Sequence, residues 1–222
     1  SAASDVYKRQ DVMCAGCYVH NSSGSGVLVE NSVDLYLSQM FIYDASPEYP
    51  ALSIDNSGLN LAQQGGTVHI SVARIISDRT GANSGPGIEI NQASANINIL
   101  GLNGDNTGLY WNGNNNGDYP SSLSNTTLFG DGTFTFVNHK SMSGFGNQIN
   151  PSYTGQVILE NSNINWSYLT DFSNSLVITL DSLSELRLHN PSQVDLTNAI
   201  IAPSAQILSL IHISEPTRQS KI

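Results

Sequence analysis

The 222-residue chain reads as an all-β protein, a single-stranded β-solenoid of about eight stacked rungs, on three observations. A short strand followed by an amide side chain recurs along most of the sequence. Apolar and polar residues alternate with the period of a strand, and no window sustains the i, i+3, i+4, i+7 stripe of a helix. With 39% hydrophobic and 12% charged residues, the chain can build one core and is too apolar to stay disordered.

The ends are set aside first. Residues 1–10 (SAASDVYKRQ) and 208–222 resemble translated sequencing-adapter DNA, which confines the expected β-helix domain to 11–207. The flanks hold four of the eight basic and two of the eighteen acidic residues. Four basic and sixteen acidic residues stay in the domain, a net of −12. Such a charge excludes nucleic acid as a partner, because phosphates need basic neutralisation. No apolar run is long enough for a membrane-spanning helix.

Within the domain the unit reads Gly26-Val-Leu-Val-Glu-Asn31, Ala51-Leu-Ser-Ile-Asp-Asn56 and Gly87-Ile-Glu-Ile-Asn-Gln92. It continues as Gly108-Leu-Tyr-Trp-Asn-Gly113, Thr133-Phe-Thr-Phe-Val-Asn138 and Gln156-Val-Ile-Leu-Glu-Asn161, with weaker copies ending at Asp181 and Asn198. Alternation turns Val27/Val29, Leu52/Ile54, Ile88/Ile90, Leu109/Trp111, Phe134/Phe136 and Val157/Leu159 inward. A second alternating segment follows several corners, as in 33–37, 95–99 and 183–188, and a third follows in 40–43. One rung cannot bury its own apolar side, whereas stacked rungs share a continuous core. Asn suits the corners because it tolerates left-handed backbone and its amide bonds to the Asn above and below.

GVLVENS, ALSIDNS, GIEINQA and VILENSN resemble rungs of the right-handed parallel β-helix, the pectate-lyase-like architecture. The resemblance spans about Cys14 to Asn198 and is specific to architecture, not activity. It implies an exported or cell-surface protein such as an adhesin, an autotransporter passenger or a tailspike. Polygalacturonase-like hydrolases also carry Asn-Thr-Asp, Asp-Asp, Gly-His-Gly and Arg-x-Lys motifs. None occurs here, and Asn106-Thr107-Gly108 stops short of the first.

Function belongs to outward residues. These are Leu28 and Glu30, Ser53 and Asp55, Glu89 and Asn91, Tyr110 and Asn112 in the early rungs. Thr135 and Val137, Ile158 and Glu160, Ile178 and Leu180 follow, an apolar outer face suited to covering by another chain in an oligomer. Glycoside hydrolysis needs paired carboxylates. Stacking sets Glu30 about 5 Å from Asp55, and Asp55 roughly 8 Å from Glu89 on a diagonal. These three are the candidate catalytic residues. Solvating an exposed sheet is the plainer role for the same acids.

Tyr110, Asn112 and Tyr119, with Trp166 and Tyr168, are candidate glycan contacts. In the Asn- and Gly-rich stretch 101–119, Asp105 and Asp118, with Asn112 and Asn114, offer hard oxygen ligands suited to calcium. The same residues serve equally as polar turns. Cys14 and Cys17 are expected as buried thiols or a short-range disulfide. They lack the second Cys pair that structural zinc requires. His20 and His139 flank corners with no nucleophile at recognisable spacing.

The expectation is therefore a secreted or surface rod recognising a polysaccharide or cell-surface glycan. A polysaccharide hydrolase or lyase is the competing reading, and a structural spacer the third.

Overall fold

The computed structural model describes residues 12–20, 25–30, 35–43, 49–55, 66–76, 87–91, 95–100, 103–105, 108–113, 121–128, 131–173 and 176–210. The described part is all-β, a parallel β-solenoid of about 6 turns with no helix.

The early strands are β1 (Val12–Ala15), β2 (Tyr18–His20), β3 (Val27–Glu30), β4 (Leu35–Tyr43), β5 (Leu52–Asp55) and β6 (Gly66–Ile76). Next come β7 (Ile88–Asn91), β8 (Ala95–Leu100), β9 (Asn103–Asp105), β10 (Leu109–Asn112), β11 (Ser121–Ser124) and β12 (Thr127–Leu128). Two further triplets are β13 (Phe134–Val137), β14 (Met142–Phe145), β15 (Gln148–Ile149) and β16 (Gln156–Glu160), β17 (Asn163–Ser167), β18 (Thr170–Asp171). The chain closes with β19 (Val177–Leu180), β20 (Glu185–His189), β21 (Ile200–Ile201) and β22 (Gln206–Leu210), so pairing continues past Ile207.

Two parallel sheets result. One stacks eight strands in the order β21-β19-β16-β13-β10-β7-β5-β3. The other has 14 strands, the longer strand of each coil together with the short strand beyond its bend. The recurring strand is present eight times, yet the stack makes about 6 turns. At the ends of the stack β1 and β2 pair only with β4, and β21 is a two-residue strand.

Like positions stack. Leu52, Ile88, Leu109, Phe134, Val157 and Ile178 form one inner column through successive strand pairs. Ile54, Ile90, Trp111, Phe136, Leu159 and Leu180 form the next, and every member of both is buried. Each such side chain contributes roughly 1.5–3 kcal/mol of burial, and its coil neighbours keep water out on both sides. On the opposite wall Trp166 lies beside Gly144 in register. A Cβ at Gly144 would collide with the indole and with the Leu123 carbonyl, so the glycine makes room for one of the two buried indoles.

β19 corrects one expectation. Ile178 and Leu180 are core, and Val177 and Thr179 face outward. The run Leu176-Val-Ile-Thr-Leu180 is apolar in either phase, and pairing of Val157 with Ile178 and Leu159 with Leu180 decides it. The outer face of the later coils is consequently less apolar than expected. Asn198 is a second correction: it precedes β21 instead of following it. The position equivalent to Asp181 is Ala202, whose N–H donates to Leu180 O as that of Asp181 donates to Leu159 O.

Corners hold the columns straight. Asn31, Asn56 and Gln92 lie outside the described residues. Asn138 and Asn161 have φ of 57° and 47°. Asn161 Nδ2 donates to Asn138 Oδ1 at 2.9 Å, and Asn138 Nδ2 to Asn112 Oδ1 at 3.1 Å. Asp181 Oδ2 then accepts the Asn161 backbone N–H at 2.9 Å. At the second bend a left-handed residue recurs in Gly16, Gln39, Asn125, Gly146, Tyr168 and Asn190. Gly and Asn take this conformation cheaply, whereas Tyr168 at φ 58° carries a cost of about 1–2 kcal/mol.

Asn161 separates the two corner effects. Asn161→Ala loses both the ladder amide and the left-handed preference, and is expected to cost about 2 kcal/mol. Asn161→Gly keeps the backbone preference and is expected to cost about half as much, even after its added unfolded-state entropy. Urea unfolding followed by tryptophan fluorescence measures both, and equal losses would remove backbone conformation from the account.

Candidate functional site

The eight-stranded sheet presents two outward columns. Ser53, Glu89, Tyr110, Thr135 and Ile158 form one, each half-buried. Glu30, Asp55, Asn91, Asn112, Val137 and Glu160 form the other. Glu30 and Asp55 are direct register partners, and Asp55 lies diagonal to Glu89 because it pairs with Asn91. The backbone diagonal is about 7–8 Å. Asn91 Nδ2 donates to Glu89 Oε1 at 3.1 Å, which holds that carboxylate along the strand. Tyr110 pairs directly with Glu89, so an aromatic ring adjoins the acids.

The other candidates are not gathered there. Asn112 accepts from Asn138, which commits its oxygen to the corner ladder. Trp166 is 2% exposed and belongs to the core, because Ile164 and Trp166 share the inward phase of β17. Tyr168 is 52% exposed at the second bend. Asp105 ends β9 in the 14-stranded sheet, whereas Asn112 ends β10 in the other. Asn114, Asp118 and Tyr119 lie outside the described residues. Among the described residues no three His, Cys, Asp or Glu side chains gather to hold a metal ion. Cys14 and Cys17 are joined as a disulfide across the Gly16 bend, with Cα atoms 6.0 Å apart, and pack partly buried against the core.

His139 is structural. It follows the Asn138 corner, is 3% exposed, and its Nε2 donates to Trp111 O at 3.1 Å. Its ring meets Trp111 edge-on at 5.1 Å. Its backbone N–H donates to Ser162 Oγ, and the Ser162 N–H donates in turn to Ser184 Oγ, a buried polar column behind the corner. Burial pushes the imidazole down from 6.5 to about 4, opposed by the hydrogen bond to Trp111 O.

A second outward feature lies on the 14-stranded sheet. A polar cleft of about 190 Å³ is lined by Lys140, Asn163, Ile164, Asn165, Glu185 and Arg187. Asn163 pairs with Glu185 and Asn165 with Arg187, so four planar polar groups form a two-by-two array. Arg187 donates to both Glu185 oxygens, at 2.7 and 3.2 Å. Alternation in Asn163-Ile-Asn-Trp166 and Glu185-Leu-Arg-Leu188 already marks these residues as outward. Bringing them together needs the register between two coils.

No protein-family model matches the chain, and no curated protein or solved structure shows significant similarity to it. Assignment of function therefore rests on the geometry of these two faces.

The depressed imidazole predicts a pH dependence. The unfolded state binds a proton near 6.5 that the folded state refuses until about 4, so stability is full above 6.5 and falls between the two. Urea midpoints at pH 7.5 and 4.5 should differ by the equivalent of about 2–3 kcal/mol from this group. His139→Gln should remove that part of the slope, and an unchanged slope would exclude His139 as its source.

Proposed function

We propose that the protein is an exported or cell-surface β-solenoid that recognises glycans through its outward sheet faces. The observation that carries this reading is the in-register array of half-exposed carboxylate, amide, hydroxyl and aromatic side chains on the rung surfaces. Spacing at the strand repeat of about 4.8 Å offers a polymer regularly placed partners, and a ladder-bonded backbone needs little ordering on binding. The Cys14–Cys17 disulfide supports an oxidising compartment. No helix of the described residues is long and apolar enough to cross a membrane.

The proposal includes the right-handed, pectate-lyase-like sense of coiling, which the handedness rule for parallel crossovers supports. Adapter-derived flanks at 1–10 and 208–222 belong to it as well. It requires no cofactor, and calcium at Asp105 and Asp118 enters only as a brace for the 101–119 stretch. Association of copies through the outer face of the later coils is also part of it, through Val137, Ile158 and the exposed Ile200.

A second reading, polysaccharide cleavage, is favoured by the diagonal of Asp55 and Glu89 with Glu30 in register beside Asp55. A polysaccharide panel tests both. The expected outcome is retention of at least one glycan without release of reducing ends or unsaturated products. Release that disappears in Asp55→Asn and Glu89→Gln would establish the enzyme instead. Neither retention nor release would leave a spacer.

A further inference from the structure

Beyond the cleft, on the same face of the 14-stranded sheet, stands an exposed aromatic pair. Phe145 and Tyr168 are 55% and 52% exposed, with ring centroids 5.1 Å apart and planes at 59°. Phe145 pairs with Ser167, two residues beyond Asn165 on the outward phase of β17, and Tyr168 follows at the bend. From Asn163 to Ser167 the outward face of β17 runs about 13 Å, with Tyr168 at the bend just past it.

Tyr168 is the unusual member. It occupies the left-handed bend at φ 58°, where the other coils of the same column place Gly16, Gln39, Asn125, Gly146 and Asn190, none of them aromatic. An aromatic residue is costly in that conformation, and an exposed ring recovers little of the cost by burial. Strain of this kind is retained where a ligand uses it.

The chemistry of the array points one way. Two amides present both donors and acceptors, and the Arg187–Glu185 pair fixes further donors and an acceptor in a plane. Vicinal hydroxyls need that mixture, while the apolar face of a pyranose needs an aromatic ring. Glu185 offsets Arg187 within the cleft and leaves Lys140 as a single surplus charge at its edge, while the acidic surplus of the chain repels polyanions. We infer that the cleft and the Phe145–Tyr168 pair form one binding site for a neutral oligosaccharide, with a sugar face on the rings and hydroxyls on Asn163, Asn165, Glu185 and Arg187. The inference rests on the glycan-recognition reading and places its seat on this sheet, away from the Glu30–Asp55–Glu89 strip.

Calorimetric titration of the full chain with cello-, manno-, xylo- and maltohexaose, and with hexagalacturonate as the acidic arm, tests it. Binding of at least one neutral hexasaccharide is expected, weakened about tenfold or more by Asn165→Ala and by Phe145→Ala. Tyr168→Asn is expected to weaken binding similarly while raising Tm, a pairing of effects that a purely structural tyrosine would not give. Neutral binding kept in all three variants but lost in Tyr110→Ala would overturn the site and leave glycan recognition standing. Preference for hexagalacturonate, lost in Lys140→Ala, would overturn the neutral class. Binding of no saccharide would overturn both readings.

Discussion

Parallel hydrogen bonding between each coil and the next, in an unbroken register, is the constraint on which the molecule depends. Once Leu109 is fixed beside Phe134, and Phe134 beside Val157, the face of every other residue on those strands follows. A slip of one residue would carry Trp111 and Phe136 into water and bring Tyr110 and Thr135 inside. Core and surface are therefore one decision, made at the backbone.

The corners make that decision affordable. A parallel coil must turn sharply without orphaning its amides, and the left-handed residues do so while sending their N–H groups to the next coil, as Asn125 does to Phe145 O and Gly146 to Ser167 O. Where a side chain must enter the interior behind a corner, it carries its own partners. Ser162 Oγ accepts the His139 backbone N–H and Ser184 Oγ that of Ser162, and Asn147 accepts from Thr126 N–H and donates to Leu123 O. Buried polar groups of this kind are costly unless paired, which ties the identity of each corner to its neighbours.

Much of this was legible in the sequence. Strict alternation put Trp111, Phe134 and Leu159 inside, and the corners Asn138 and Asn161 stack amide on amide, with Asn138 reaching on to the strand residue Asn112 beside the Gly113 corner. Alternation failed where both phases were apolar, so Ile178 and Leu180 needed the pairing of β19 with β16 to place them. Trp166 misled because an aromatic residue suits a sugar and a core equally well, although its phase with Ile164 turns it inward, into the space beside Gly144. The acidic diagonal of Asp55 and Glu89 followed from rung spacing alone. The Asn165–Arg187 cleft did not, since β17 and β20 lie outside the repeated strand whose corner spacing sets the register of the acidic diagonal.

The amide ladder at the first corner has a direction. Each Asn donates toward the preceding coil, and Asp181, an acceptor only, receives the Asn161 backbone and has no amide proton to pass on. A coil duplicated between Asn138 and Asn161 would inherit a corner that both accepts and donates, and would splice into the stack without a mismatch. Duplication just after Asp181 would set a carboxylate against a carboxylate. Tandem copying of the coil between Asn138 and Asn161 would thus extend the amide ladder, whereas copying after Asp181 would interrupt it.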